Sequence, residues 1–268
     1  MVIVHRAVRR SCLALAAFVA TFALLLLAGC DSTSRIDSSG REQIAAGTQP
    51  AQSPAARHWH YLDDAAAGVL QQLLPAPVDI ASPDAREFDE QLAMLVKERA
   101  SPAATAQARR DAEDDLWKFS RAMGPSFTAS NCPKIAGMMA NAQTDADAVK
   151  NDLKTRFARS RPGTVSGTVN AVRPEEWSYP SGHATRAALR ARLLTAIAPD
   201  FEQALLREAW FSGHERMALG VHMGSDVVAG FVLGQAIADR MLESPAMQAD
   251  LAAARAEWRA LDATVATP

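Results

Sequence analysis

The sequence predicts an all-α protein: a single helical domain behind an exported N-terminus. Three observations carry this. Apolar residues recur at three- and four-residue spacing along most of the chain after Trp59. The strict alternation that marks a half-buried strand is scarce. The composition leans to Ala and Leu and has only 2 Tyr, which favours helix over sheet. The length suits one domain of ordinary size plus extras. A formal net charge of −2 excludes nucleic-acid binding through a net basic field. No internal repeat is visible.

The chain opens as a targeting signal over residues 1–29. Arg6, Arg9 and Arg10 form its basic start, Leu13 to Leu27 its apolar stretch, and Leu27-Ala28-Gly29-Cys30 its end. That end resembles a bacterial lipoprotein signal, in which the cysteine becomes the lipidated first residue. The resemblance implies lipidation at Cys30 and a periplasmic protein anchored to the inner or outer membrane. An uncleaved signal anchor is the alternative, since the apolar stretch is nearly long enough to span a bilayer. Asp31 resembles an inner-membrane retention signal of some bacteria. Cys12 leaves with the signal and Cys30 carries lipid, so Cys132 has no intrachain partner. No Cys/His spacing of a metal site is present.

Residues 30–58 are rich in Ser, Gly, Gln, Ala and Pro, with almost no large apolar side chains. Such a stretch cannot bury a core and reads as a flexible tether. The helical domain occupies 59–268. Trp59 to Pro83 reads as a short helix and an extended wrap, broken by Pro75, Pro77 and Pro83. Ser82 to Arg99 is a helix with Phe88, Leu92, Leu95 and Val96 on its apolar face, and Ser82 or Asp84 can cap it. Ala103 to Met123 is a helix with Leu116, Phe119 and Met123 at helical spacing, ended by Gly124-Pro125. Lys134 to Arg161 is a long helix with a break at Asn141–Thr144. A turn-rich loop from Pro162 to Tyr179 follows. Helices then run over Ala184–Ala198, Phe201–Leu219, Asp226–Leu242 and Ala246–Leu261.

Three clusters bear chemistry. Lys154 and Arg161 lie seven residues apart, almost two helical turns, so both can share a face. Pro162 disfavours helix at Arg161 and sets its guanidinium at the helix end, where a fork of N–H donors suits phosphate. The bland alternative is a solvated basic face, because Arg156 and Arg159 occupy the same run. Second, Tyr179-Pro180-Ser181-Gly182-His183 joins a turn to a helix start. Ser181 is a good N-cap, Gly182 lets an anion approach bare backbone, and the first-turn N–H groups face that anion. His183 stands at the mouth and can give a proton near neutral pH. Third, His222 and Asp226 are four residues apart, so the carboxylate can hold one ring nitrogen and leave the other as nucleophile. Arg216 precedes them.

The order Lys154-(six residues)-Arg161-Pro162, Pro180-Ser181-Gly182-His183, Arg216-(five residues)-His222-(three residues)-Asp226 resembles the three-part signature of the type 2 phosphatidic acid phosphatase superfamily. It is most similar to the class A bacterial nonspecific acid phosphatases. Ser178-Tyr179, Ser225-Asp226 and Trp59-His60-Tyr61-Leu62 extend the likeness, which covers most of Trp59 to Leu261. The resemblance implies an all-α domain of the acid phosphatase/vanadium haloperoxidase type, acting on small-molecule phosphate monoesters without cofactor or metal. It implies that His222 attacks phosphorus, Asp226 orients it, and His183 protonates the leaving oxygen and then activates water. Lys154, Arg161, Ser181, Gly182 and Arg216 are implied to hold the phosphoryl oxygens. Two departures stand out. Glu215 replaces the serine usual before the arginine of the third motif, adding negative charge near an anion site. The loop between Pro162 and Pro180 is short for class A.

The superfamily leaves other activities open: a lipid phosphate or pyrophosphate phosphatase, or a vanadium haloperoxidase, whose larger architecture nothing here suggests. A lipoprotein whose pocket only binds phosphate is the non-enzymatic reading, and Glu215 is the residue that argues for it. After Cys30 no segment has the ~20 consecutive apolar residues of a membrane span.

Overall fold

A computed structural model describes residues 57–77, 82–162 and 177–265. The signal and Cys30, the tether up to residue 56 and the loop residues 163–176 lie outside the described residues. The described part is helical throughout, with no strand among the described residues. It consists of α1 (Asp64–Leu73), α2 (Pro83–Arg99), α3 (Pro102–Arg110), α4 (Ser120–Met123), α5 (Pro133–Phe157), α6 (Gly182–Ile197), α7 (Glu202–Ala218), α8 (Gly224–Leu242) and α9 (Pro245–Val265). No helix among the described residues is long and apolar enough to cross a membrane.

The central element is α6. Ala184, Thr185, Ala187, Ala188, Leu189, Ala191, Leu193, Leu194 and Ile197 are buried on every side of it. A helix apolar all round belongs inside. It packs most extensively against α8 and α7, with α5 and α9 closing the remaining sides. Two glycines allow the α6–α8 contact. A Cβ at Gly234 would stand 2.1 Å from the Thr185 carbonyl oxygen, and one at Gly230 2.6 Å from that of Ser181. Backbone therefore packs on backbone at this crossing, and the start of α8 is fixed against the start of α6.

On α5 the buried side is Ile135, Met138, Met139, Ala142, Ala146, Val149 and Leu153, a helical stripe. Across it lie Met247, Leu251, Ala254 and Trp258 of α9. Asp145 of α5 accepts the backbone N–H groups of His60, Tyr61 and Leu62 at 3.0, 2.8 and 3.1 Å and ties the entering chain down. Contacts begin earlier still, with Arg57 paired to Asp152 at 2.5 Å.

Four expectations are corrected. The expected break at Asn141–Thr144 is absent, and α5 runs through it; Thr144 Oγ1 bonds the Ala140 carbonyl at 3.0 Å without disrupting the helix. The helix ends at Phe157, not Arg161, because Ala158 turns left-handed with φ 44°. Ala103–Met123 is not one helix. The chain leaves α3 at Arg110, passes two short 3-10 turns and only then forms α4. Asp114 is the pivot, left-handed at φ 58° and held by Lys118, Arg186 and Arg190. Finally, the apolar face read on α2 is its outer face: Phe88 is 70% exposed and Leu95 48%. Asp89 and Ala93 point inward instead. Ser82 does cap this helix, accepting from Ala85 N at 3.4 Å.

Candidate active site

Four helix ends and the segments beside them meet at one cavity of about 620 Å³. The last turn of α5 delivers Lys154. The left-handed residue Ala158 redirects the chain, so that Arg161, four residues past the helix end, turns back toward the same space. The N-terminus of α6 brings Gly182 and His183, the last turn of α7 brings Arg216, and the turn before α8 brings His222. All six of these side chains or backbones line the cavity. Ser181 and Asp226 are also close, but both are fully buried behind the wall. Ser181 spends its hydroxyl as the cap of α6, accepting from Ala184 N at 3.5 Å, and its own N–H donates to the Asp226 carbonyl at 2.9 Å. Its expected place among the phosphate ligands is therefore not what the geometry gives.

His222 is held between two charges. Its Nδ1 lies 3.3 Å from Asp226 Oδ2, and its Nε2 lies 3.3 Å from Arg161 Nη1. The carboxylate fixes the proton on Nδ1, which leaves the Nε2 lone pair on the cavity side. Burial pushes the imidazole down to about 3, with the Arg161 and Lys154 charges adding to that and Asp226 opposing it. The ring is thus neutral across the ordinary range, as a nucleophile needs to be. Arg161 Nη1 also donates to the Val221 carbonyl at 2.6 Å, which fixes the guanidinium beside the ring.

Asp226 is itself over-determined. It accepts from Met223 N at 2.9 Å, from Arg159 Nη1 at 2.5 Å and from the Ser178 hydroxyl. Burial disfavours its charge, but the hydrogen bond and charge of His222, the Arg159 guanidinium and the Ser178 bond outweigh it and hold the carboxyl well below the usual range.

His183 Nε2 lies 3.0 Å from the Ala112 carbonyl. Burial drives its imidazole down to about 4; Asp114 pulls up, and Arg216 and Arg186 push down. The two histidines are therefore both depressed, with His183 the more basic. Arg216 is buried too. One Nη2 proton goes to the Ala108 carbonyl at 2.8 Å, while its buried Nε finds no acceptor among the described residues. An unsatisfied guanidinium N–H beside a cavity is a donor waiting for an anion. Lys154 donates to the Trp177 carbonyl and keeps its ammonium at the cavity edge.

Sequence reasoning missed Arg159, which it placed on a solvated face. Its side chain is fully buried and forms the hub behind the histidine: Asp226 at 2.5 Å, Ser225 Oγ at 2.7 Å and Asp89 Oδ2 at 3.1 Å. The signal was there in the position of Arg159 beyond a helix end that the sequence reading set four residues too late. Asp89 was hidden by its apolar neighbours on α2. Glu215, by contrast, does not line the cavity. It bonds Asp111, and burial plus that carboxylate push it up to about 7. Among the described residues no cluster of three or more His, Cys, Asp or Glu could hold a metal ion.

Comparison with known proteins agrees with this arrangement. Residues 135–247, which include all three clusters, match the PAP2 superfamily. A non-specific acid phosphatase of Providencia stuartii is 26% identical over 213 residues, 75% of this chain and 86% of that protein. A non-specific acid phosphatase of Salmonella typhimurium is 31% identical over 163 residues, 56% of this chain and 65% of that protein. An acid phosphatase of Zymomonas mobilis is 25% identical over 248 residues, 88% of this chain and 90% of that protein.

Proposed function

We propose that this chain, which carries a PAP2 superfamily domain over residues 135–247, is a phosphatase that hydrolyses small phosphate monoesters through a phosphohistidine on His222. The observation that carries the reading is the convergence of His222, His183 and three cationic side chains on one cavity, with the His222 Nε2 facing Arg161.

In the first step His222 Nε2 attacks phosphorus in line and the P–O bond to the leaving group breaks. His183, protonated, gives its proton to that oxygen, so an alcohol leaves. The imidazole ring gains positive charge as the N–P bond forms, and Asp226 at Nδ1 stabilises it. In the second step His183, now neutral, takes a proton from water. The hydroxide attacks phosphorus, the N–P bond breaks and its electrons return to His222. Orthophosphate leaves with both histidines restored. Lys154, Arg161, Arg216 and the Gly182 N–H hold the equatorial oxygens throughout. Fixed positive charge that needs no rearrangement supplies most of the rate. No step calls on a metal.

A pocket that only binds phosphate was favoured by Glu215 alone. Its carboxyl is turned to Asp111, outside the cavity lining, so that argument weakens. The apolar N-terminal stretch and Cys30 support a periplasmic, lipid-anchored location, where such an enzyme would meet exported phosphate esters.

Turnover of p-nitrophenyl phosphate tests the reading. Wild type is expected to release nitrophenol, and His222→Ala to release none. In His183→Ala an aryl phosphate with an acidic phenol still phosphorylates His222, and the intermediate accumulates because its base is gone. Protein-bound phosphate that is acid-labile and alkali-stable is the expected product. Label that survives acid, or that persists without His222, would mean another nucleophile.

A further inference from the structure

We infer that the cavity contains a second anion subsite, built by Lys150 and Arg186, that takes a second phosphoryl group carried on the leaving group. This deepens the hydrolytic reading above and rests on it for the word leaving; the binding claim stands on the geometry alone.

Neither residue belongs to the three clusters that carry the chemistry, yet both line the cavity. Lys150 stands one turn before Lys154 on α5, and Arg186 one turn after Gly182 on α6, so each shares a face with a residue of the phosphoryl site. Their charged ends meet. Lys150 Nζ and Arg186 Nη1 donate to the same oxygen, Asp147 Oδ1, at 2.8 and 2.9 Å. The meeting point is over the first residue of α6: a Cβ at Gly182 would lie 3.5 Å from Lys150 Nζ and 3.8 Å from Arg186 Nη1. The next residue is His183, the proton donor to the leaving oxygen. A leaving group that departs past His183 has these two cations as its nearest charges.

The cations have capacity left. Lys150 gives one of its three protons to Asp147. Arg186 gives Nε to Asp114 and Nη1 to Asp147, and its Nη2 bonds no acceptor among the described residues. The surrounding charge is in excess. Lys118, Lys150, Arg186 and Arg190 face Asp114 and Asp147, and the remaining carboxylate at the rim, Glu113, is exposed to solvent. A guanidinium edge beside an ammonium suits a phosphoryl group better than a neutral alcohol.

Calorimetric titration of the wild-type protein at pH 6 with three matched probes tests this without turnover: methylphosphonate, phosphonoacetate and methylenediphosphonate. The diphosphonate is expected to bind at least ~10-fold more tightly than methylphosphonate, with phosphonoacetate between, since the second group adds a multiply charged contact at the Lys150–Arg186 pair. In Lys150→Gln and in Arg186→Gln the preference should collapse to within about twofold, with methylphosphonate affinity unchanged. Equal affinity of wild type for methylphosphonate and the diphosphonate overturns the subsite, and so does a preference that both variants keep. Phosphonoacetate binding as tightly as the diphosphonate overturns the assignment to a phosphoryl group. Failure of the hydrolytic reading would appear separately, as absence of p-nitrophenyl phosphate turnover.

Discussion

Replacing Arg159 with Met tests whether the hub behind the nucleophile holds the site together. The guanidinium is sealed from solvent and joins two carboxylates, Asp226 at 2.5 Å and Asp89 at 3.1 Å. Met keeps most of the volume and the apolar stem, so the loss is of charge and hydrogen bonds, not of packing. Removing one partner of a buried ion pair costs about 3–5 kcal/mol, because the remaining charge stays buried without compensation. Here Asp226 keeps Ser178, His222 and the Met223 N–H, and Asp89 keeps the Ser225 N–H at 3.2 Å and the Ser225 hydroxyl. Those bonds place the expected cost toward ~3 kcal/mol. For a domain of this size each kcal/mol moves the melting temperature by about 2–4 °C, so a fall of roughly 6–12 °C is expected. Thermal unfolding followed by circular dichroism at pH 6 measures it. The double variant Arg159→Met/Asp89→Asn should recover part of the loss, since a neutral amide no longer needs the guanidinium. In the folded fraction kcat should fall while KM for p-nitrophenyl phosphate holds, because Arg159 reaches His222 only through Asp226. A melting temperature within ~2 °C of wild type would refute the reasoning, as would an Asp89→Asn change that adds to the loss.

The remaining predictions concern pH and metal. Catalysis needs His222 neutral and His183 protonated, and with the two pushed down to about 3 and about 4, kcat/KM should be bell-shaped and acid-sided; a rate still rising above pH 8 would contradict this pair. Both folded values lie below ~6.5, so the unfolded chain takes up these protons first and stability should fall as pH drops below ~6.5, a loss that chemical denaturation at pH 7 and pH 4 would measure. Glu215 acts with the opposite sign: its folded value is raised from 4.5 to about 7, so its contribution is present below 4.5 and lost as pH rises to about 7. Glu215→Gln should flatten that part of the denaturation profile, and an unchanged profile would sink the assignment. Turnover should persist in EDTA and be inhibited by vanadate or phosphate; activity that chelator abolishes and a divalent ion restores would contradict the metal-free cradle.

Helix content and the order of the three clusters could be read from spacing alone, because 3.6-residue periodicity and fixed motif offsets are local properties. The side on which a helix faces the core is not local. Phe88, Leu92 and Leu95 form a good apolar stripe on α2, but the helix turns Asp89 inward because Arg159 and Ser225 are there to receive it. The break after Arg110 was equally invisible, since Asp114 is drawn into its left-handed turn by Arg186 and Arg190, more than seventy residues away. Arg159 shows the same limit in reverse. Its neighbours Arg156 and Lys154 are partly or fully exposed, and only the early end of α5 at Phe157 sends it into the interior. The glycines at 230 and 234 matter through what lies opposite them, the carbonyls of Ser181 and Thr185, which no single segment reveals.

Glu215 also looks different once its surroundings are known. Next to Arg216, a carboxylate would be expected to cancel part of the charge that holds phosphate. The carboxyl instead faces Asp111, whose charge is kept by Arg121 at 2.7 Å and by Gln107 at 2.9 Å. Two carboxyls in contact cannot both ionise readily, and it is Glu215, the more buried and less compensated, that keeps the proton. On the acid side of neutral it is a neutral hydrogen-bond donor that fastens α7 to the turn after α3. That turn has a second task, because the Ala108 carbonyl holds Arg216 and the Ala112 carbonyl holds His183. One segment thus positions a phosphate ligand and the proton donor, and Glu215 braces it while protonated. As pH rises past about 7 the brace ionises beside Arg216 and both effects reverse together. A residue that seems to weaken an anion site in the sequence is, in this fold, suited to a site that works in acid.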